Sequence, residues 1–98
     1  MLELRPSCEH CRCALPAEST AARICSFECT FCAACAALLQ HCCPNCGGNL
    51  LARPIRPARD ERHGNDLQHY PASTRVVYQP ADLDAHAQWL ANRQGKPA

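Results

Sequence analysis

The chain has 98 residues, ten of them cysteine, a formal net charge of +1 and few aromatic side chains. That length fits one domain, or a small module with a tail. The 47% hydrophobic content comes largely from alanine and cysteine, so a large self-sufficient core is excluded, as is an apolar run of the roughly 20 residues that a membrane-spanning helix needs.

Charge is spread unevenly. Residues 1–48 hold three arginines against four acids, and the remainder holds seven basic residues against five acids. Seven of the ten cysteines fall between Cys25 and Cys46, with Cys8, Cys11 and Cys13 just upstream. The large apolar residues of that region are nearly limited to Leu15, Ile24, Phe27, Phe31, Leu38 and Leu39. So short a segment with so little to bury needs disulfides, metal or a partner to hold it. Disulfide frameworks belong to oxidising compartments. Met1 to Cys8 has no apolar run long enough for a signal peptide, so the chain is expected in the reducing cytoplasm. The steps Cys8/Cys11, Cys29/Cys32, Cys32/Cys35 and Cys43/Cys46 have the short bite of a tetrahedral thiolate site, which points to structural zinc.

In chain order, Leu2-Glu3-Leu4 alternates like a short strand that Arg5-Pro6 ends. Cys8-Glu9-His10-Cys11 is a first knuckle, in which two intervening residues let both sulfurs face one ion. Cys13 follows at once and is an alternative to Cys11. Leu15 to Thr20 reads as a surface loop, and Ile24 to Phe31 as a hairpin, with Cys25 on one arm and Cys29 near the turn. Cys32 to Gln40, rich in alanine and leucine, is the best helix-forming run. Cys32 and Cys35 share one face of its first turn, where the helix N-terminus favours thiolate charge. Cys43-Pro44-Asn45-Cys46-Gly47-Gly48 is a second knuckle whose glycines permit tight backbone around sulfur.

The order Cys8-x2-Cys11-x13-Cys25-x3-Cys29-x2-Cys32-x2-Cys35-x7-Cys43-x2-Cys46 resembles a RING finger with cysteine at the fourth ligand position. That resemblance implies a small metal-stabilised α+β fold, a RING-like or treble-clef cross-brace with a short hairpin and one helix. It also implies two zinc ions, one on Cys8, Cys11, Cys32 and Cys35 and the other on Cys25, Cys29, Cys43 and Cys46. Cys13 and Cys42 are left out. The whole chain is also similar to a family of small uncharacterised bacterial proteins that begin Met-Leu-Glu-Leu-Arg-Pro and contain the run Arg23 to Cys32; the likeness extends to Pro71-Ala72-Ser73-Thr74. RING ligases present an apolar residue in the first knuckle, a bulky one after the helix and a basic one past the last cysteine. Here His10, Leu38 or Leu39, and Gly47 hold those places, and only the middle one fits.

Downstream, Asn49-Leu50-Leu51 reads as a strand closing the module. Prolines make residues 53–59 a stiff, extended arm, with Arg53, Arg56 and Arg59 at the period of three that lines up one face of a polyproline II helix. Asp60 to Gln68 reads as loop or disorder, and Arg75 to Tyr78 as a strand or an extended peptide docked on the module. From Pro80-Ala81-Asp82 a helix runs to about Arg93, with Leu83, Ala87 and Leu90 as its apolar stripe. It must pack on the module, a second copy or a partner. His63, His69 and His86 read as surface residues.

The chain thus divides into a zinc-binding module (1–51), a basic arm and polar loop (52–69) and a C-terminal extension (70–98). Closed four-cysteine sites leave no open coordination position, so the chain reads as non-enzymatic. Cys42, beside His41, is the one nucleophile worth naming. The reading is a protein-interaction adaptor, with Leu38, Leu39, Trp89 and the arm as contacts. The alternative is a nucleic-acid-associated or regulatory zinc protein using the arginine arm, with ubiquitin-ligase-like activity behind both. Neither membrane nor catalytic cofactor is expected.

Overall fold

The computed structural model describes residues 1–59 and 61–94. Five short elements follow one another: β1 (Ala22–Ile24), β2 (Thr30–Cys32), α1 (Ala33–Leu38), β3 (Leu51–Ala52) and α2 (Leu83–Gln94). The strands form one antiparallel sheet in the order β2-β1-β3. Ala22 stands opposite Cys32, Ile24 opposite Thr30, and Arg23 and Ile24 opposite Ala52 and Leu51. The fold is therefore a small α+β arrangement of sheet, short helix and C-terminal helix.

The hairpin closes through Cys25 N–H to Cys29 O at 3.2 Å and Glu28 N–H to Cys25 O at 3.0 Å, with Glu28 in the left-handed region at φ 69°. Helix α1 starts directly from β2: Cys32 is its N-cap, and its sulfur accepts the Cys35 amide. The helix ends in a Schellman motif, with His41 N–H on Ala36 O at 2.8 Å and Gln40 N–H on Ala37 O at 3.0 Å. This geometry is usually made by glycine, but here Gln40 and His41 carry it, at φ 57° and 58°. Cys35, Ala36 and Leu39 face inward, while Leu38 is 58% exposed. Leu39 is fully buried, so it belongs to the core and not to a contact surface as its sequence position suggests.

The core is small: Leu15, Ala22, Phe31, Ala36, Leu39 and Leu50 pack among the buried cysteines. Side-chain hydrogen bonds supply much of the rest. Glu9, between the first two cysteines, is buried, binds the Arg5 guanidinium at 2.8 Å and accepts the Thr30 amide, tying the first knuckle to β2. Arg53 is 4% exposed, contrary to the solvated arm expected from its neighbours. Its guanidinium donates to the carbonyls of Arg5 (2.9 Å), Leu15 (3.3 Å) and Pro16 (3.0 Å). Arg56 likewise donates to the carbonyls of Leu2 (2.9 Å) and Tyr70 (2.6 Å). These carbonyls lie on segments with little regular structure, and a long cationic fork satisfies several of them at once. Arg59 alone of the three points outward, beside Glu61.

Two further expectations are corrected. Leu2 to Leu4 is not a strand, because side chains and the C-terminal extension take its polar groups: Glu28 accepts the Glu3 amide, and Leu4 O receives Ser73 N–H. The closing strand is Leu51–Ala52 rather than 49–51; Asn49 forms an isolated bridge with Cys42. The polar loop turns around Asp66, which is 1% exposed and accepts the amides of Gln68 and His69. Asp60 lies outside the described residues.

The C-terminal extension folds back onto the module. Residues 73–79 run extended beside residues 4–9 and are held at Ser73 N–H to Leu4 O (3.0 Å) and Gln79 N–H to Glu9 O (2.8 Å). Of the two readings of Arg75–Tyr78, the docked peptide is therefore the one observed. The His10 ring then accepts the Ala81 amide at 2.9 Å. Asp82 caps α2 by accepting the Ala85 amide. The packed face of α2 is the partly buried Leu83 with the buried His86 and Leu90, not Leu83, Ala87 and Leu90, since Ala87 is exposed. His86 is buried and bonds Leu39 O at 2.8 Å, so it is no surface residue.

Two substitutions check this account. Arg53→Ala leaves buried carbonyls without donors and lowers stability by about 2–4 kcal/mol, read by denaturant unfolding of the metal-loaded chain. Gln40→Gly removes a left-handed strain and raises stability by about 0.5–1 kcal/mol in the same measurement.

Candidate metal centre

The folded chain gathers its cysteines into two clusters. The sulfurs of Cys8, Cys11, Cys13 and Cys32 all lie within 4.8 Å of one another, and so do those of Cys25, Cys43 and Cys46. Cys13, which the expected ligand set omits, thus stands inside the tight first group, and Cys35 stands outside it, its sulfur near enough to those of Cys32, Cys11 and Cys8 to interact with them. Cys29 joins the second, beside Cys25 and Cys43. The clusters alternate along the chain: Cys25 separates Cys13 from Cys32, and Cys32 separates Cys25 from Cys43. Each cluster thus joins segments distant in sequence, and β1, β2 and α1 run between them.

Local backbone geometry aims amides at sulfur. In the first cluster the Cys8 sulfur accepts the Cys11 amide at 3.5 Å, and the Cys32 sulfur accepts the Cys35 amide at 3.4 Å. In the second, Phe27 N–H reaches Cys25 at 3.3 Å, Asn45 N–H reaches Cys43 at 3.4 Å and Gly48 N–H reaches Cys46 at 3.4 Å. The Asn45 side-chain amide adds a donor to Cys29 at 3.6 Å. An amide donated to sulfur stabilises the thiolate over the thiol. Sequence reasoning missed Asn45, whose signal lay in its place inside the second knuckle.

Without an ion the effect differs from sulfur to sulfur: against partial burial, the Phe27 amide holds the Cys25 thiol below its ordinary value, while others rise. Partial desolvation and the neighbouring sulfurs of Cys11 and Cys32 push the Cys13 thiol up to about 12. Burial and the sulfurs of Cys32, Cys11 and Cys8 raise Cys35; burial, with Cys46 and Cys29 nearby, raises Cys43. Thiolates this close repel one another, and a divalent cation reverses that balance. The spacing fits such an ion. Four sulfurs at about 2.3 Å from zinc stand about 3.8 Å apart, and the sulfurs of Cys11 and Cys32 are 3.8 Å apart. All ten cysteines are free thiols.

The remaining residues named from sequence have other surroundings. Cys42 is buried outside both clusters; its sulfur faces Gly47 O at 3.4 Å and the Arg93 guanidinium at 3.3 Å. Arg93 also donates to Gly47 O at 2.7 Å and lies over the Trp89 ring at 5.1 Å. Gly47 has φ 80°, and a Cβ there would stand 3.3 Å from Trp89, so α2 rests on the second knuckle where only glycine fits. His69 pairs with Asp66 at 2.8 Å and His63 is exposed.

Metal uptake by these clusters must displace protons. The raised thiols are protonated in the metal-free chain at neutral pH and ionise as ligands, so affinity rises with pH and falls on acidification. Zinc titration of the reduced, metal-free protein is expected to release protons, with the apparent affinity climbing as pH is raised from about 6 to 8. An affinity flat across that window would contradict a thiolate site.

Among the described residues, no helix is long and apolar enough to cross a membrane. No solved structure matches the chain. A protein of Rhizobium meliloti (strain 1021), itself uncharacterised, is 54% identical over 81 residues, covering 82% of this chain and 89% of the relative. Residues 1–56, which hold every cysteine of both clusters, match the family described as protein of unknown function (DUF1272). On the family match and the extent of that identity, the chain belongs to the DUF1272 family.

Proposed function

We propose that the chain is a structural zinc module that serves as a protein-interaction adaptor. Two ions bind in a RING-like cross-brace, one on Cys8, Cys11, Cys32 and Cys35 and the other on Cys25, Cys29, Cys43 and Cys46. The observation that carries the metal reading is the set of backbone amides on Cys8, Cys25, Cys32, Cys43 and Cys46. Thiols without a metal have little need of so many donors, whereas metal-bound thiolates keep a charge that such donors stabilise. Each site is closed by four sulfurs, so the ions hold structure and present no open position for a substrate. A structural site of this kind supplies on the order of 10–16 kcal/mol in zinc-finger peptides, more than the small core here can contribute.

The adaptor reading draws on what the rigid module leaves outside. Leu38, the last residue of α1, is 58% exposed, and Trp89 is 42% exposed over the second knuckle. The nucleic-acid alternative loses its three-arginine face, because Arg53 and Arg56 spend their donors on backbone carbonyls. Ubiquitin-ligase-like chemistry gains no supporting residue from His10, whose ring is engaged by the Ala81 amide.

Native mass spectrometry tests the metal part: two zinc ions per chain are expected, with chelation removing hydrogen-exchange protection across residues 8–46. A chain that carries no metal and melts identically with and without chelator refutes it. For the adaptor part, Leu38→Ser and Trp89→Ser each keep both ions yet weaken binding to a partner isolated with the wild-type chain. Binding that instead collapses with salt and with Arg59→Ala indicates an electrostatic partner.

A further inference from the structure

The first cluster contains more sulfur than one tetrahedral ion can use. Cys8, Cys11 and Cys32 belong to it on any count, and two further thiols compete for the fourth place. Cys35 is buried and meets Cys32, Cys11 and Cys8. Cys13 is exposed, meets Cys11 and Cys32, and lies within 4.8 Å of all three shared sulfurs. The second cluster has four sulfurs and no fifth; its nearest spare thiol, Cys42, faces Gly47 O and Arg93 instead.

We infer that the first site is a metal-exchange site in which Cys13 and Cys35 are interchangeable fourth ligands, while the second site is fixed. This rests on the two-ion reading above. In the resting state Cys35, the buried one of the two and on the helical turn that Cys32 caps, completes the first site, while Cys13 already lies within 4.8 Å of the three shared sulfurs. Cys13 stands on the solvent side, two residues past Cys11 and across Arg12, which holds a left-handed φ of 67° and turns the chain back toward the cluster. Exchange needs no change of oxidation state. With zinc bound, Cys13 would replace Cys35 as the fourth sulfur, giving its proton to solvent while Cys35 takes one up. With Cys13 as ligand the ion is bound by two exposed sulfurs, Cys11 and Cys13, where an external thiol or chelator can reach it. An entering thiol already within 4.8 Å of the three shared sulfurs would lower the cost of the exchange.

Metal counting by native mass spectrometry, paired with zinc release to a chromogenic chelator, tests this on the full reduced chain. The wild type is expected to hold two ions and to release them in a fast and a slow phase. Cys13→Ser keeps two ions but loses the fast phase. Cys35→Ser also keeps two ions, because Cys13 takes the fourth place, and Cys13→Ser with Cys35→Ser together leaves one. In the loaded wild type, a maleimide should label Cys13 first, without loss of either ion. A Cys13→Ser chain that holds one ion, or that releases zinc like the wild type, overturns the inference. So does a Cys35→Ser chain that holds one ion or does not fold. A wild type holding fewer than two ions defeats the two-ion reading itself, a separate outcome.

Discussion

Sulfurs crowded to within a few ångströms cannot all ionise unless a divalent cation lies among them, and the architecture is organised around two such crowded clusters. The sheet has three strands of two or three residues, and the hydrophobic cluster is built as much from cysteine as from leucine or phenylalanine. Neither is enough to order 50 residues in water. The elements instead serve as spacers. The hairpin separates Cys25 and Cys29 from Cys32, and α1 carries Cys35 back toward Cys8 and Cys11 while delivering Cys43 to the other cluster. Because the clusters alternate along the chain, loosening one slackens the segment that leads into the other.

Around this centre the chain satisfies its polar backbone with side chains rather than ladders. Glu9, Arg53, Arg56 and His86 each fasten one segment to another distant in sequence through buried or partly buried hydrogen bonds, except that Arg5 and Glu9 also pair locally. A buried arginine is costly to desolvate, and burial lowers the Arg53 pKa from its ordinary value; its carbonyl partners offset that cost. The C-terminal extension is held the same way. Its extended strap bonds the first knuckle's segment and its helix covers the second, so both cysteine knuckles are in contact with residues 73–93. The extension thus belongs to the module's support, while Phe27, Leu38, Leu51, Ile55 and part of Trp89 stay exposed as apolar surface.

Much of the site was legible in the sequence because cysteine spacing is a direct record of ligand bite. Two residues between thiols bring both to one ion whatever the surrounding fold, and the i, i+3 pair in an alanine-rich run declares its helical face. The knuckles at Cys8/Cys11 and Cys43/Cys46 and the helical pair Cys32/Cys35 were readable on that ground. Cys13 was not, since a sequence spacing cannot say whether a third nearby sulfur turns inward. That depends on the left-handed Arg12 and on the packing of the loop behind it.

The sequence by itself determined that cysteine chemistry, not a hydrophobic core, organises residues 8–46, that a helix follows Cys32, and that a second helix begins near Asp82. Periodicity, capping and ligand spacing are local, and local rules suffice for them. Only the tertiary structure decided the fate of individual side chains with two plausible surroundings. Leu39 is core and Leu38 surface, Arg53 is a buried clamp though its neighbours are exposed, and His86 replaces Ala87 on the packed face of α2. Each of these is settled by which distant carbonyl or apolar group lies within reach once the two clusters have drawn the chain together, and no local pattern encodes that distance.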